Sequence, residues 1–233
     1  SPDPAPEPDP TPAIPEPTIT GTATGGETVS GTGGDDVLAT GGGLWDKLAG
    51  GAGDDSYIVE IGQTTVAEAY GGGHDTVYSR ADFLAVFSEV ETFVLLDGAG
   101  GLLANRYDNH ITGNAGANDL SGGAGDDTIL GMGGDDLLNG GIGNDMLDGG
   151  EGVDTAVYSG AATDYTVTYL PDGLTAQVTD TVGSEGTDLL TSIEYLRFSD
   201  GDVAVNFPST PAIAEATVES AQAFAFDSDT AFT

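Results

Sequence analysis

The sequence predicts an all-β fold: a parallel β-solenoid of stacked nine-residue turns, followed by an antiparallel β region that caps it. Three observations predict this. Six consecutive nine-residue units run from Ala104 to Val157 without an insertion. Each places Asp or Asn sixth and an apolar residue eighth, as in Gly122-Gly123-Ala124-Gly125-Asp126-Asp127-Thr128-Ile129-Leu130. After Val157 the glycine period stops and apolar residues alternate with threonine, the pattern of half-buried strands.

The repeat fixes the architecture before any single strand is considered. The sixth positions are Asn109, Asn118, Asp127, Asp136, Asp145 and Asp154, and the eighth are Ile111, Leu120, Ile129, Leu138, Leu147 and Ala156. Within a unit, the last three residues form a very short strand with one inward side chain. The first six hold up to three glycines, which allow a tight turn. Two units make one eighteen-residue coil, and successive coils stack as parallel strands about 4.8 Å apart. The resulting core is thin.

The period returns, less perfectly, between Gly21 and Ile58, with Glu27, Asp36, Asp46 and Asp55 sixth and Val29, Leu38, Leu48 and Tyr57 eighth. Thr40 is an extra residue, so one coil must bulge. Residues 59–103 are irregular coils with one degenerate unit, Gly71–Val77, and a buried strand over Val90–Leu96. Residues 158–207 form the cap: a hairpin of Tyr165, Val167 and Tyr169 against Leu174, Ala176 and Val178, turning at Pro171-Asp172-Gly173, and a third strand over Ile193–Phe198. Residues 1–20 alternate proline with Asp and Glu, which makes a semi-rigid acidic linker and implies an upstream domain of the same polypeptide. Residues 208–233 are a tail without Lys or Arg.

Charge points to the ligand. The chain has 39 acidic side chains and only four basic ones, for a formal net charge of −35. Nucleic acid and anionic membrane surfaces need clustered Lys and Arg, so neither is an expected partner. No apolar run approaches a membrane span. With no cysteine, a secreted chain with a thin core needs another stabilising device. The N-terminus lacks the basic start and apolar middle of a signal peptide.

An eighteen-residue coil stacks Asp127 on Asp145 and Asp136 on Asp154. Two carboxylates roughly 5 Å apart repel by about 3 kcal/mol at an effective dielectric near 20. A Ca²⁺ between them reverses the sign, since it takes six to eight oxygens at about 2.3–2.6 Å. Turn carbonyls at positions one and four (Gly122, Gly125, Gly131, Gly134, Gly140 and Gly143) supply oxygens that the carboxylates do not. Asn109 and Asn118 remove one charge from their pairs and are expected to bind more weakly. Asp36, Asp46 and Asp55 are expected ligands in the first block. Fifth-position acids such as Asp54, Asp126 and Asp135 are expected to be solvated, and His74 and His110 to be ordinary turn residues. Zinc wants Cys or His clusters, and magnesium rarely sits in all-protein oxygen cages.

These units resemble the nonapeptide repeats of the RTX (repeats-in-toxin) family, the hemolysin-type calcium-binding repeats of bacterial secreted proteins. The resemblance covers residues 21–157. Asp154–Gly160 through Ile193–Gly201 is similar to the region that often follows such repeats. The resemblance implies a parallel β-roll, several Ca²⁺ ions in the turns, a secreted, extracellular or cell-surface location, and partnership with a type I secretion machinery that reads an uncleaved C-terminal signal. It implies a chain unfolded in a calcium-poor cytosol and folded outside, where it stabilises or displays the upstream domain. Two other readings use the same residues. A structural or adhesive surface module would assemble with copies of itself through acidic faces. A polysaccharide-acting enzyme would need basic residues for an acidic substrate and carries no G-x-S-x-G nucleophile motif, so no enzymatic activity is expected.

Overall fold

The computed structural model describes residues 13–68, 71–85 and 89–205. Most of the acidic linker and the whole of the tail from 208 lie outside the described residues. The chain winds as a parallel β-solenoid. On one side the strands stack in the order Ile19–Thr20, Val37–Ala39, Ser56–Val59, Thr76–Ser79, Thr92–Leu95, His110–Thr112, Thr128–Leu130 and Met146–Asp148. The opposite side opens with Thr28–Ser30, Lys47–Ala49 and Thr65–Val66. It continues as a separate sheet through Phe83–Leu84, Gly101–Leu103, Asp119–Ala124, Leu137–Ile142 and Thr155–Val157.

Register follows the repeat. Thr92, His110, Thr128 and Met146 pair in succession, as do Gly101, Asp119, Leu137 and Thr155, each step being one eighteen-residue coil. In the first block Thr28 pairs with Lys47 and Val37 with Ser56, one residue more per coil, as the extra Thr40 requires. The irregular coils still stack. Ser56 pairs with Thr76 and Thr76 with Thr92, so one coil is longer than eighteen residues and the next is shorter. Phe93, Val94 and Leu95 of the strand expected near Val90–Leu96 are buried.

The core is a column of eighth-position side chains. Leu38, Leu48, Tyr57, Ile111, Leu120, Ile129 and Leu138 are completely inaccessible, and Val77, Phe93 and Leu147 nearly so. Each contacts the same position one coil away, because consecutive rungs pair in parallel with this residue in the middle. Glycine is required where coils approach most closely. Gly125 has φ +117°, and a Cβ on it would stand 2.5 Å from the carbonyl carbon of Tyr107 in the coil below.

Beyond Val157 the structure both matches and departs from the sequence reading. Tyr165–Tyr169 and Thr175–Asp180 form the expected antiparallel hairpin, with Val167 opposite Val178. Asp172 closes its turn by accepting the N–H groups of Leu174 and Thr175 at 2.9 Å. Leu174 is not an inward strand residue: it lies in the turn and is exposed. Thr187–Thr191 pairs in parallel with Met146–Asp148, and Tyr195–Phe198 in parallel with Thr155–Val157. These two strands are therefore further rungs of the solenoid, and the hairpin is a long excursion between rungs. Tyr158, Tyr165 and Phe198 seal the end, with ring centroids 5.0–5.6 Å apart.

Truncating a central rung should be costly. In calcium, Leu138→Ala is expected to lower unfolding free energy by about 2–5 kcal/mol, the usual cost of a large-to-small change at a buried site. Leu174→Ala should shift it by less than about 0.5 kcal/mol. Denaturant midpoints check both; equal effects would contradict the column as the seat of cohesion.

Candidate metal centre

Each nonapeptide turn presents its sixth residue to the neighbouring coil in one way. The N–H of Asp127 donates to Oδ1 of Asp145 at 2.8 Å, that of Asp136 to Oδ1 of Asp154 at 2.8 Å, and that of Asn109 to Oδ1 of Asp127 at 2.7 Å. The same bond joins Asn118 to Asp136 and Asp36 to Asp55, and a longer one joins Glu27 to Asp46. This backbone ladder forces the carboxylates into two vertical columns, one on each edge of the solenoid.

One carboxylate oxygen is used by the ladder; the other is not. Oδ2 of Asp46, Asp55, Asp127, Asp136, Asp145 and Asp154 is buried and has no hydrogen-bond partner. An orphaned anionic oxygen in the interior is expensive unless a cation or a proton meets it. The first-position glycine leaves the space for it. A Cβ on Gly122, Gly131 or Gly140 would stand 2.0–2.4 Å from Oδ2 of its own unit's aspartate. The carbonyl of the next coil faces that same space: Gly140 O lies 2.8 Å from the Cβ position on Gly122, and Gly149 O 2.6 Å from that on Gly131. At the fourth positions Gly125, Gly134 and Gly143 hold φ of +117°, +105° and +144°. Gly125 O in turn faces Gly143 of the coil above. The donor set is wholly oxygen, anionic and preformed by backbone, which suits a hard divalent cation.

The remaining sequence candidates are arranged differently. Asn109 turns its amide nitrogen to Val90 O at 3.0 Å, and Asn118 turns its own to Ala99 O at 3.3 Å while its Oδ1 accepts Asn114 N–H at 2.8 Å. These two turns close by neutral hydrogen bonds. Asp36 Oδ2 is taken by the N–H and hydroxyl of Thr32. The fifth-position acids are exposed, yet they form a second ladder of opposite sense. Asp126 accepts the Asn144 N–H and Asp135 the Val153 N–H from the coil above, at 2.8 and 3.0 Å. His74 N–H donates to Asp54 in the same way.

Three members of the columns escaped the sequence reading, and a fourth, Asp75, stood in the degenerate unit Gly71–Val77 without being named a ligand. Asp55 N–H donates to Asp75, Asp75 N–H to Glu91, Asp145 N–H to Asp188 and Asp154 N–H to Glu194. Each carries the signal that could have found it: an acid two residues before a buried apolar side chain, Val77, Phe93, Leu190 or Leu196.

Burial dominates the electrostatics of these columns. It pushes the carboxyls of Asp127, Asp136 and Asp188 up to about 7 and that of Asp145 to about 6. The ladder amide lowers each, and neighbouring carboxylates such as Asp145 beside Asp127 raise it again. Asp154 and Asp55 are raised for the same reasons.

A carboxyl raised on folding binds more protons folded than unfolded between about pH 4 and 7, so stability without metal falls as pH rises through that range. Calcium binds only the carboxylate and gains affinity over the same range. In calcium-depleted buffer the β-sheet signal at pH 5 should therefore exceed that at pH 8, and in millimolar calcium the order should reverse. Circular dichroism melts at the two pH values check this; the same order under both conditions would contradict it.

No curated protein matches the chain. The family model of the RTX calcium-binding nonapeptide repeat (4 copies) matches residues 22–57, 102–129 and 121–156, the two blocks that carry these orphaned carboxylates, and calcium is accordingly the cation that their turns hold.

Proposed function

We propose that this chain is a secreted module whose folding is switched on by calcium, and that it stabilises or displays a domain upstream of its acidic, proline-rich segment. The observation that carries this is the set of six buried Oδ2 atoms without partners, aligned along the two edges of a thin core. Calcium, when bound, supplies the positive charge and the coordination that such oxygens lack. Asp127, Asp136, Asp145, Asp154, Asp55 and Asp46 provide the carboxylates, and Gly122, Gly125, Gly131, Gly134, Gly140 and Gly143 the turn carbonyls. Asn109, Asn118 and Asp36 contribute less, because their side chains already have partners.

The mechanism is linkage. The ladder amides hold Oδ1 of each aspartate, which aims Oδ2 at the space over the first-position glycine. That arrangement exists only when two coils are stacked. A ligand that binds only the folded state adds its binding free energy to folding, about 2.7 kcal/mol per site at a hundred times its dissociation constant. Several sites in one column multiply the effect, so a modest rise in free calcium separates an open chain from a folded one. No helix among the described residues is long and apolar enough to cross a membrane. Residues 208–233, which lie outside the described residues, are assigned the role of export signal for a type I secretion machinery on the resemblance of the repeats.

Circular dichroism during a calcium titration of the full chain should show a cooperative gain of β-structure. Asp145→Ala should move the midpoint to at least tenfold higher calcium, while Asp126→Ala should move it less than twofold. An unchanged spectrum in the parent chain would overturn the proposal. Deleting residues 208–233 should abolish export from a host with a type I secretion system without altering the calcium response of the purified protein; undiminished export would remove that role.

A further inference from the structure

The first position of a turn is glycine at Gly31, Gly41, Gly50, Gly113, Gly122, Gly131, Gly140 and Gly149, and a short side chain at Thr22 and Ala104. Next to Gly50 stands a long one. Leu48 pairs with Val66 and Ala67 N–H donates to Leu48 O at 2.9 Å, which places Glu68 beside Gly50 in the coil above. Gly50 N–H donates to Glu68 Oε1 at 3.0 Å. A Cβ on Gly50, Gly122, Gly131 or Gly140 would stand 1.9–2.4 Å from Oδ2 of the aspartate five positions on. Here the chain is longer: Asp55 follows Gly50 by five positions, and Asp75 follows Glu68 by seven.

Three carboxylates meet there. Oxygens of Asp55, Glu68 and Asp75 all lie within 4.8 Å of one another. Two ligands of one calcium ion, each about 2.3–2.6 Å from it, stand no more than about 5 Å apart, so this spacing admits a common ion. Asp55 and Asp75 are each 1 % exposed. Their Oδ1 atoms accept ladder amides, from Asp36 and Asp55 respectively, both at 2.8 Å. Oδ2 of Asp55 is buried without a partner and is aimed into the cluster. It lies 1.9 Å from the Cβ position on Gly50, and the Tyr57 hydroxyl lies 2.3 Å from the same point and donates to Glu68. Ion pairs among the described residues join Arg80 to Glu60, Arg106 to Glu89 and Arg197 to Asp202, and none of these three involves Asp55 or Asp75. Lys47 projects from the exposed face of its strand.

We propose that Glu68 adds a third carboxylate to the Asp55–Asp75 rung, making there a divalent-cation site held mainly by side chains and suited to calcium, which bolts the irregular coils to the first repeat block. It rests on the proposed inward role of Asp55 but takes its other two carboxylates from outside both repeat blocks. Three carboxylates and no nitrogen or sulfur donor select a hard cation.

The test counts ions. Calcium bound per full-length chain is measured by equilibrium dialysis for the parent, Glu68→Gln and Asp126→Asn, with circular dichroism in calcium as the folding control. Glu68→Gln is expected to bind one ion fewer, or to hold one at least tenfold more weakly, and Asp126→Asn to match the parent. A Glu68→Gln chain with the parent's count and affinities overturns the proposal. Should that variant not reach the parent's β signal in calcium, the same count on Asp75→Asn decides, with the same two outcomes. A parent that binds a single ion, lost on Glu68→Gln, would sink the reading of the nonapeptide turns and leave this site standing.

Discussion

Like charges stacked one above another are the constraint from which the remainder of this structure follows. The amide of each sixth-position residue needs an acceptor in the adjacent coil, and the carboxylate of the next sixth-position residue provides it. The bond that locks the register is thus the bond that brings the anions into file. The apolar core beside this file is thin, each nine-residue unit burying one side chain of the Leu138 kind. A protein of this composition has few cationic side chains to set against it, with four Lys and Arg in total against 39 acids.

Glycine serves two separate ends in this scheme. At the fourth position it permits a left-handed backbone and close passage of coil over coil, as Gly125 passes over Tyr107. At the first position it keeps clear the volume into which Asp127 or Asp145 directs its second oxygen. The first role concerns the path of the backbone and the second the space beside the carboxylate, and the repeat fuses them in a single loop. Met132 occupies a second position with φ +78°, where Gly123 and Gly141 also have positive φ, so a residue other than glycine takes the left-handed backbone in that turn.

The repeat blocks were legible in the sequence because an uninterrupted period leaves one way to stack. Thr40 was visible as an extra residue, and the structure absorbs it as a register step of nineteen. Glu91, Asp188 and Glu194 were not legible, because a shortened coil before Glu91 and the hairpin before Asp188 and Glu194 break the period while the acid-to-apolar spacing survives; Asp75 stood in the one degenerate unit that could be read. Leu174 misled for the opposite reason: its alternation with Thr175 and Ala176 continues a strand pattern into a turn that Asp172 closes. Glu68 was hidden because a glutamate in a glycine's place reads as loss of the repeat, and only pairing of Leu48 with Val66 reveals which place it holds.

The hairpin that separates Tyr158 from Asp188 has a broader meaning for how such a chain can vary. Asp145 and Asp188 are 43 residues apart, yet their bond is of the same kind and nearly the same length as the one between Asp127 and Asp145. A rung therefore recognises the rung beneath it without regard to how much polypeptide intervenes. New lobes can be grafted at any bend without disturbing the stack, which makes the edge of the molecule the natural place for lineages carrying this scaffold to acquire novelty.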